Sequence, residues 1–149
     1  MAIVKQPLGA RTAVNTPGFP TLAAGYFAST DAYPCNSTQP LDVIVEVAAA
    51  TTNAPAGNKA LIVYIIESLD GSSYRSGPTS GNVTTDEADL KVMGMLPMNT
   101  STTQHRATFS VAQALGYVPF AFKIVVKNDL GVALTSGTVY AAEVSGTVV

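Results

Sequence analysis

The stretch Ala60-Leu61-Ile62-Val63-Tyr64-Ile65-Ile66-Glu67 decides the fold of this chain. It is apolar at consecutive positions and rich in β-branched residues, a composition typical of a β-strand that is covered on both faces. Two interpretations fit such a strand. Either the domain itself covers both faces, or one face belongs to a sandwich interior and the other makes an assembly contact.

Strand patterns recur on both sides of this stretch. Upstream, residues 41–47 alternate with period two, placing Leu41, Val43, Val45 and Val47 on one face, and a turn cluster at 51–58 follows. Downstream, four more segments have strand character: 90–96, 104–111, 120–127 and 138–144. The last three residues could extend the final strand.

Helical signals are nearly absent. Val111–Leu115 is the only stretch that favours a helical turn, and Gly116 closes it. About seven to nine short strands separated by regular turns are typical of sandwiches. The sequence therefore predicts an all-β fold, an antiparallel β-sandwich or jelly roll over residues 41–149.

Residues 1–40 differ from the rest because they contain five prolines, which disfavour helices and central strands. Disordered tails are poor in aromatic residues, whereas this segment is not. We weigh two arrangements, an extended Pro-rich N-terminal arm that lies on a surface or an irregular layer packed on its own sandwich. In the arm arrangement, four aromatic residues bind the partner: Phe19, Tyr26, Phe27 and Tyr33.

Charge is scarce in this chain of 149 residues, since 12% are charged, 47% are apolar and the net charge is −2. An average soluble domain is about 25% charged. The sequence contains no run of 18 apolar residues and no basic block, and residues 1–7 lack the basic start and apolar region of a secretory signal, so we expect neither a membrane nor a nucleic acid as partner.

Catalytic motifs are missing from the sequence. The sequence has one cysteine, Cys35, and one histidine, His105. These counts exclude a disulfide within the chain and a Cys/His metal cluster. We interpret Cys35 as a small buried side chain and His105, beside Arg106, as a solvated strand residue. The expectation is a protein that is not an enzyme and has no catalytic residue, cofactor or metal.

Acidic and aromatic residues offer weaker ligand hypotheses. Asp86-Glu87-Ala88-Asp89 could hold calcium but lacks the spacing of a calcium loop. Asp42 and Glu46 are four residues apart, about 13 Å along a strand, too far for a glycosidase pair. The chain has no tryptophan, which disfavours sugar binding through aromatic platforms.

Two segments carry a resemblance to a known class of proteins. Residues 109–134 contain Phe-Ser-Val-Ala-Gln-Ala-Leu-Gly-Tyr-Val-Pro and then Phe-Ala-Phe-Lys-Ile-Val-Val-Lys-Asn-Asp-Leu-Gly-Val-Ala-Leu. Residues 64–74 place Ser-Leu-Asp-Gly-Ser-Ser-Tyr after the buried strand. Together these segments resemble small virion structural proteins of tailed bacteriophages, most of all capsid decoration (cement) proteins.

The resemblance implies a β-sandwich or jelly roll that forms a homotrimer and binds the major capsid protein. Such a protein is made in the host cytoplasm and stabilises capsid subunits on the virion surface. If the arm is a clamp, removing residues 1–40 weakens capsid binding more than it lowers the melting temperature of the domain; if the truncated protein fails to fold, the segment is internal structure. Two alternatives remain, another phage structural part (tail-tube, connector or fibre-associated protein) or a carbohydrate-binding, adhesin-like sandwich.

Overall fold

The computed structural model describes residues 4–148, with side chains over residues 6–146. Within that range the chain forms eleven β-strands and one short α-helix. In chain order they are β1 (Val4–Lys5), β2 (Thr12–Val14), β3 (Phe27–Ser29), β4 (Tyr33–Pro34), β5 (Asp42–Ala50), β6 (Ala60–Ser68), β7 (Lys91–Pro97), β8 (His105–Ser110), α1 (Val111–Leu115), β9 (Ala121–Asp129), β10 (Ser136–Val144) and β11 (Thr147–Val148).

The strands form two sheets that pack face to face. Sheet I has the order β2-β10-β5-β8, and sheet II has the order β3-β9-β6-β7, with β4 also pairing with β9. Strands β1 and β11 form a separate two-stranded ribbon. All these pairings are antiparallel. The predicted antiparallel β-sandwich is confirmed.

Period-two alternation builds the interior between the sheets. In β5, Val43, Val45 and Val47 are completely buried. Sheet II contributes the matching layer, in which alternate residues of β6 and β9 enter the same core: Leu61, Val63, Ile65, Phe122, Ile124 and Val126. Burying one such side chain stabilises the fold by about 1.5–3 kcal/mol, so these strands supply most of the apolar burial.

The outer face of β6 is also covered. Tyr64 and Ile66 are buried beneath residues 69–90, the long connection from β6 to β7, which we call the strap. Leu90 packs with both of them in a second apolar cluster. Of the two interpretations of the β6 stretch, the one in which the domain covers both faces is therefore correct.

The proline-rich segment packs on the sandwich. Its strand β2 extends sheet I at β10, whereas β3 and β4 extend sheet II at β9. Phe19, Leu22 and Cys35 are buried in the main core. Residues 12–35 therefore form an irregular layer on their own domain.

The helix α1 begins and ends as its sequence indicates. Ser110 caps its first turn by accepting a hydrogen bond from the Gln113 amide at 2.9 Å. Gly116 ends it in the left-handed conformation, with φ of 83°. No helix among residues 4–148 has the length and apolar character needed to cross a membrane.

Candidate functional site

The four aromatic residues that the sequence marks for partner binding lie in different surroundings. Phe19 and Phe27 are buried, and Tyr33 is half-buried with its ring 5.2 Å from that of Phe122. These three side chains attach the segment to its own sandwich. Tyr26 alone is exposed, at 41% of its surface. A partner that binds the folded domain can therefore reach only Tyr26 freely.

A different set of apolar side chains faces solvent at one end of the sandwich. We call this surface the apolar end. Its members lie before β5, after β6 and before β9: Leu41, Leu69, Tyr117 and Phe120, which are 49%, 74%, 43% and 42% exposed. Contiguous exposed apolar surface marks sites of protein–protein contact more often than scattered residues do.

Strand pairing brings Leu69 and Phe120 together. Ser68 at the end of β6 pairs with Ala121 at the start of β9, so Leu69 and Phe120 flank the same strand ends. The carbonyl of Phe120 accepts a hydrogen bond from the Cys35 amide at 2.9 Å. The chain then passes from Cys35 to Leu41, whose amide donates to the Val144 carbonyl at 2.8 Å.

The turn after β6 holds Leu69 outward. The amides of Ser73 and Ser72 donate to Asp70 Oδ1 at 2.7 and 2.8 Å, and the Ser68 hydroxyl donates to the same oxygen at 2.9 Å. These hydrogen bonds hold the pKa of Asp70 well below its usual range. Asp70-Gly71, a residue pair common in turns, thus lies in a fixed loop that exposes Leu69.

Gly71 lets the turn contact Phe120. It has φ of 78°, which favours glycine, and a Cβ at this position would lie 2.8 Å from the Phe120 ring. The ring therefore rests directly on the turn backbone. This contact joins the loop after β6 to the connection before β9, so Leu69 and Phe120 keep fixed relative positions.

A cavity of about 280 Å³ opens beside Phe120. Its wall includes Pro40, Pro119 and Cys35. Burial, with a smaller contribution from Glu143, raises the pKa of the Cys35 thiol to about 11. The thiol therefore stays protonated at neutral pH and acts as a small apolar side chain.

Titratable groups elsewhere serve structural contacts. His105 Nε2 lies 3.2 Å from Thr100 Oγ1, and Asp42 accepts a hydrogen bond from the Ala112 amide at the start of α1. Glu87, the central acid of the proposed calcium cluster, is 2.8 Å from Lys127 Nζ. Among the residues with described side chains, no group of three or more His, Cys, Asp or Glu could hold a metal ion.

Comparison with known proteins supplies no family. A scan of the sequence against protein-family models and a search of curated proteins found no match. Function is therefore inferred from the geometry of the apolar end and from the two segments that carry the phage resemblance.

Sequence reasoning did not select the apolar end. The predicted strand over residues 120–127 includes Phe120, but β9 begins one residue later, and Phe120 lies in the exposed connection before it. Leu69 and Tyr117 were not selected because each lies within two residues of a glycine in a connection between elements. Their usable signal was a large apolar residue directly beside a glycine turn, at Asp70-Gly71 and at Gly116.

Proposed function

We propose that this protein is a non-enzymatic decoration (cement) protein of a bacteriophage capsid. It binds the outer surface of the head as a homotrimer and stabilises contacts between major capsid subunits. The apolar end carries this proposal, because it has four exposed apolar side chains from three connections and an adjacent cavity.

The phage resemblance coincides with that surface. The two resembling segments, 64–74 and 109–134, contain β6 and β9, which pair over nine residues. The loops at the ends of these strands supply Leu69, Tyr117 and Phe120. This proximity supports the proposal, because the segments that carry the resemblance also contain three of the four exposed side chains of the apolar end.

The scarcity of charge supports permanent assembly. A surface with few charged groups loses little hydration energy when a partner covers it, and the centres of stable interfaces are poor in charge. With 12% charged residues, this chain has such a surface. A protein with this role is synthesised in the host cytoplasm and then resides on the virion.

The test is addition of purified protein to unexpanded and expanded empty heads of the phage that encodes it. We expect binding to expanded heads alone, and sedimentation of the free protein as a trimer. The double variant Leu69→Ser and Phe120→Ser should weaken head binding at least about tenfold, since burying each side chain contributes on the order of 1.5–3 kcal/mol.

The matched control is Val83→Ser with Met95→Ser, which removes two equally exposed apolar side chains away from the apolar end. Head binding should survive in the control. Equal binding by all variants, or a monomer well above micromolar concentration, contradicts the proposal. Binding to tails or to a glycan panel instead would favour the other phage part or the adhesin-like module.

A further inference from the structure

The two outer faces of the sandwich differ. The strap buries Tyr64 and Ile66 on the outer face of sheet II. On sheet I most of the corresponding side chains along β5 and β10 remain half-exposed, and only Ala48 and Ala142 among the central ones are buried. We call this surface the open face, and its central members are Ile44, Glu46, Thr138 and Tyr140.

Two arginines share one carboxylate at the centre of the open face. Arg11 and Arg106 both contact Glu46 Oε1, at 2.5 and 3.0 Å, and their side chains are 47% and 46% exposed. The Arg11 guanidinium also lies 3.9 Å above the Tyr140 ring. Asp42, the other acid of β5, is turned to Ser110 and the α1 amide. The centre therefore has one positive charge in excess.

An apolar slot adjoins this charge. It has a volume of about 110 Å³ and is bordered by Leu8, Ile44, Tyr140 and Ala142, with Arg11 and Glu46 at its rim. The slot can receive an aliphatic side chain, and the arginines can at the same moment receive a carboxylate. Guanidinium groups favour carboxylates because their N–H donors match the two oxygens.

We propose that the open face binds an extended protein segment in which an aliphatic residue stands next to an aspartate or glutamate. The aliphatic side chain enters the slot beside Tyr140. The carboxylate joins Arg11 and Arg106, so that two cations face two anions. This site is separate from the apolar end and goes beyond the proposed decoration role.

The excess positive charge of Arg11 and Arg106 favours an acidic partner over a second copy of this chain. A second copy of this chain would bring its own Arg11 and Arg106 against the same pair, and like charges at close range oppose association. A segment with a carboxylate instead removes the excess positive charge. The open face is thus suited to an acidic partner and unsuited to pairing with itself.

The probes are two end-blocked peptides, acetyl-Thr-Leu-Asp-Thr-amide and its Asn counterpart, titrated into the isotope-labelled full chain and followed by NMR. We expect the Asp peptide to shift the amides of Ile44, Glu46 and Tyr140. The Asn peptide should bind about tenfold more weakly, the factor for one charge-assisted contact. Added salt should reduce the difference.

The variants Arg11→Gln and Arg106→Gln together should reduce binding of the Asp peptide to the level of the Asn peptide, whereas the control Lys91→Gln, on exposed β7, leaves it unchanged. Equal affinities, shifts mapping elsewhere, no shift at millimolar peptide, or self-association through Ile44 would overturn the proposal. The assay uses no phage head, so a failure of head binding leaves its result standing.

Discussion

At the scale of single residues, Asn128 explains part of the resemblance motif. Its side chain is completely buried. The amide nitrogen Nδ2 donates to the carbonyls of Leu22 and Val132, both at 2.8 Å, and Oδ1 accepts from the Leu130 amide at 3.0 Å. One side chain therefore fixes both the N-terminal segment and the turn after β9. The asparagine in Val-x-Asn-x-x-Gly has a structural task, independent of any partner.

Replacing Asn128 with Asp tests this task. The carboxylate cannot donate to the two carbonyls and would be buried without a cation, so we expect a loss of at least about 3 kcal/mol in the free energy of unfolding at pH 7. Burial raises the pKa of the new carboxyl, and its protonated form donates again, so the loss should shrink as the pH falls. Urea unfolding at pH 7 and 4.5 measures both effects.

The control for this variant is Asn99→Asp, which makes the same chemical change on an exposed residue. Its stability should stay within about 0.5 kcal/mol of the parent. Equal losses for Asn128→Asp at both pH values would contradict a buried carboxylate at this position.

At the scale of elements, the strap is held to sheet II by charged anchors at both ends. Arg75 pairs with Glu67 near its start. Near its end, Glu87 accepts hydrogen bonds from Lys127 Nζ at 2.8 Å and from the Tyr64 hydroxyl at 2.7 Å. The Arg75 hydrogen bond lowers the pKa of Glu67. Burial acts to raise the pKa of Glu87, but its hydrogen bonds outweigh burial and leave it lowered.

These pKa directions predict that the strap opens in acid. A carboxyl whose pKa is lower in the folded state stabilises that state above its ordinary pKa and stops doing so as the pH falls through the folded value. The ordinary pKa of a glutamate side chain is 4.5, so we expect the strap to open below pH 4.5. Binding of the dye ANS, which reports exposed apolar surface, should rise there as Tyr64 and Ile66 become accessible.

The variant Glu87→Gln should release the strap at neutral pH, with faster thermolysin cleavage within residues 69–90 and a loss of about 1–3 kcal/mol. The neighbouring exposed acid gives the control, Asp86→Asn, which should behave as the parent does. Unchanged cleavage of Glu87→Gln would show that apolar contacts such as that of Leu90 hold the strap without the anchor.

Also at the scale of elements, the sequence predicts those strands whose positions follow from the local periodicity of apolar residues. Alternation located β5, and the apolar run located β6 as a strand covered on both faces. Prolines interrupt any period in residues 1–40, so the places of β2, β3 and β4 depend on edge pairing with distant strands. The open face escaped prediction because Arg11, Glu46 and Arg106 meet only through the order of sheet I.

At the scale of the whole molecule, the proline-rich N-terminal segment contacts both sheets of the sandwich. It supplies an edge strand to each sheet and places Phe19 against Gly137, where a Cβ would lie 2.9 Å from the ring. Leu22 is buried in the same core as Phe19, and Phe27 is buried in the second apolar cluster with Tyr64 and Ile66. A segment with this role stabilises its own domain first, and only its exposed residues, such as Tyr26, remain for a partner.

Deletion of residues 1–40 should therefore abolish cooperative unfolding, because the core loses Phe19, Leu22 and Cys35 together. Circular dichroism melting and a proton–nitrogen NMR spectrum measure this. Deletion of residues 1–6 is the control, since it retains β2 and Phe19. If the larger deletion left a cooperatively folding domain that had lost only capsid binding, the segment would be an arm after all.

The position of β10 in sheet I has a consequence for synthesis on the ribosome. This strand lies between β2 and β5, yet it is encoded more than 120 residues after β2, as the pairing of Val139 with Val14 shows. Sheet I cannot close until Ser136–Val144 has left the exit tunnel. Contacts of such long range form slowly, so nascent chains keep the facing edges of β2 and β5 unpaired until β10 has emerged, and chaperones can bind those edges throughout this interval.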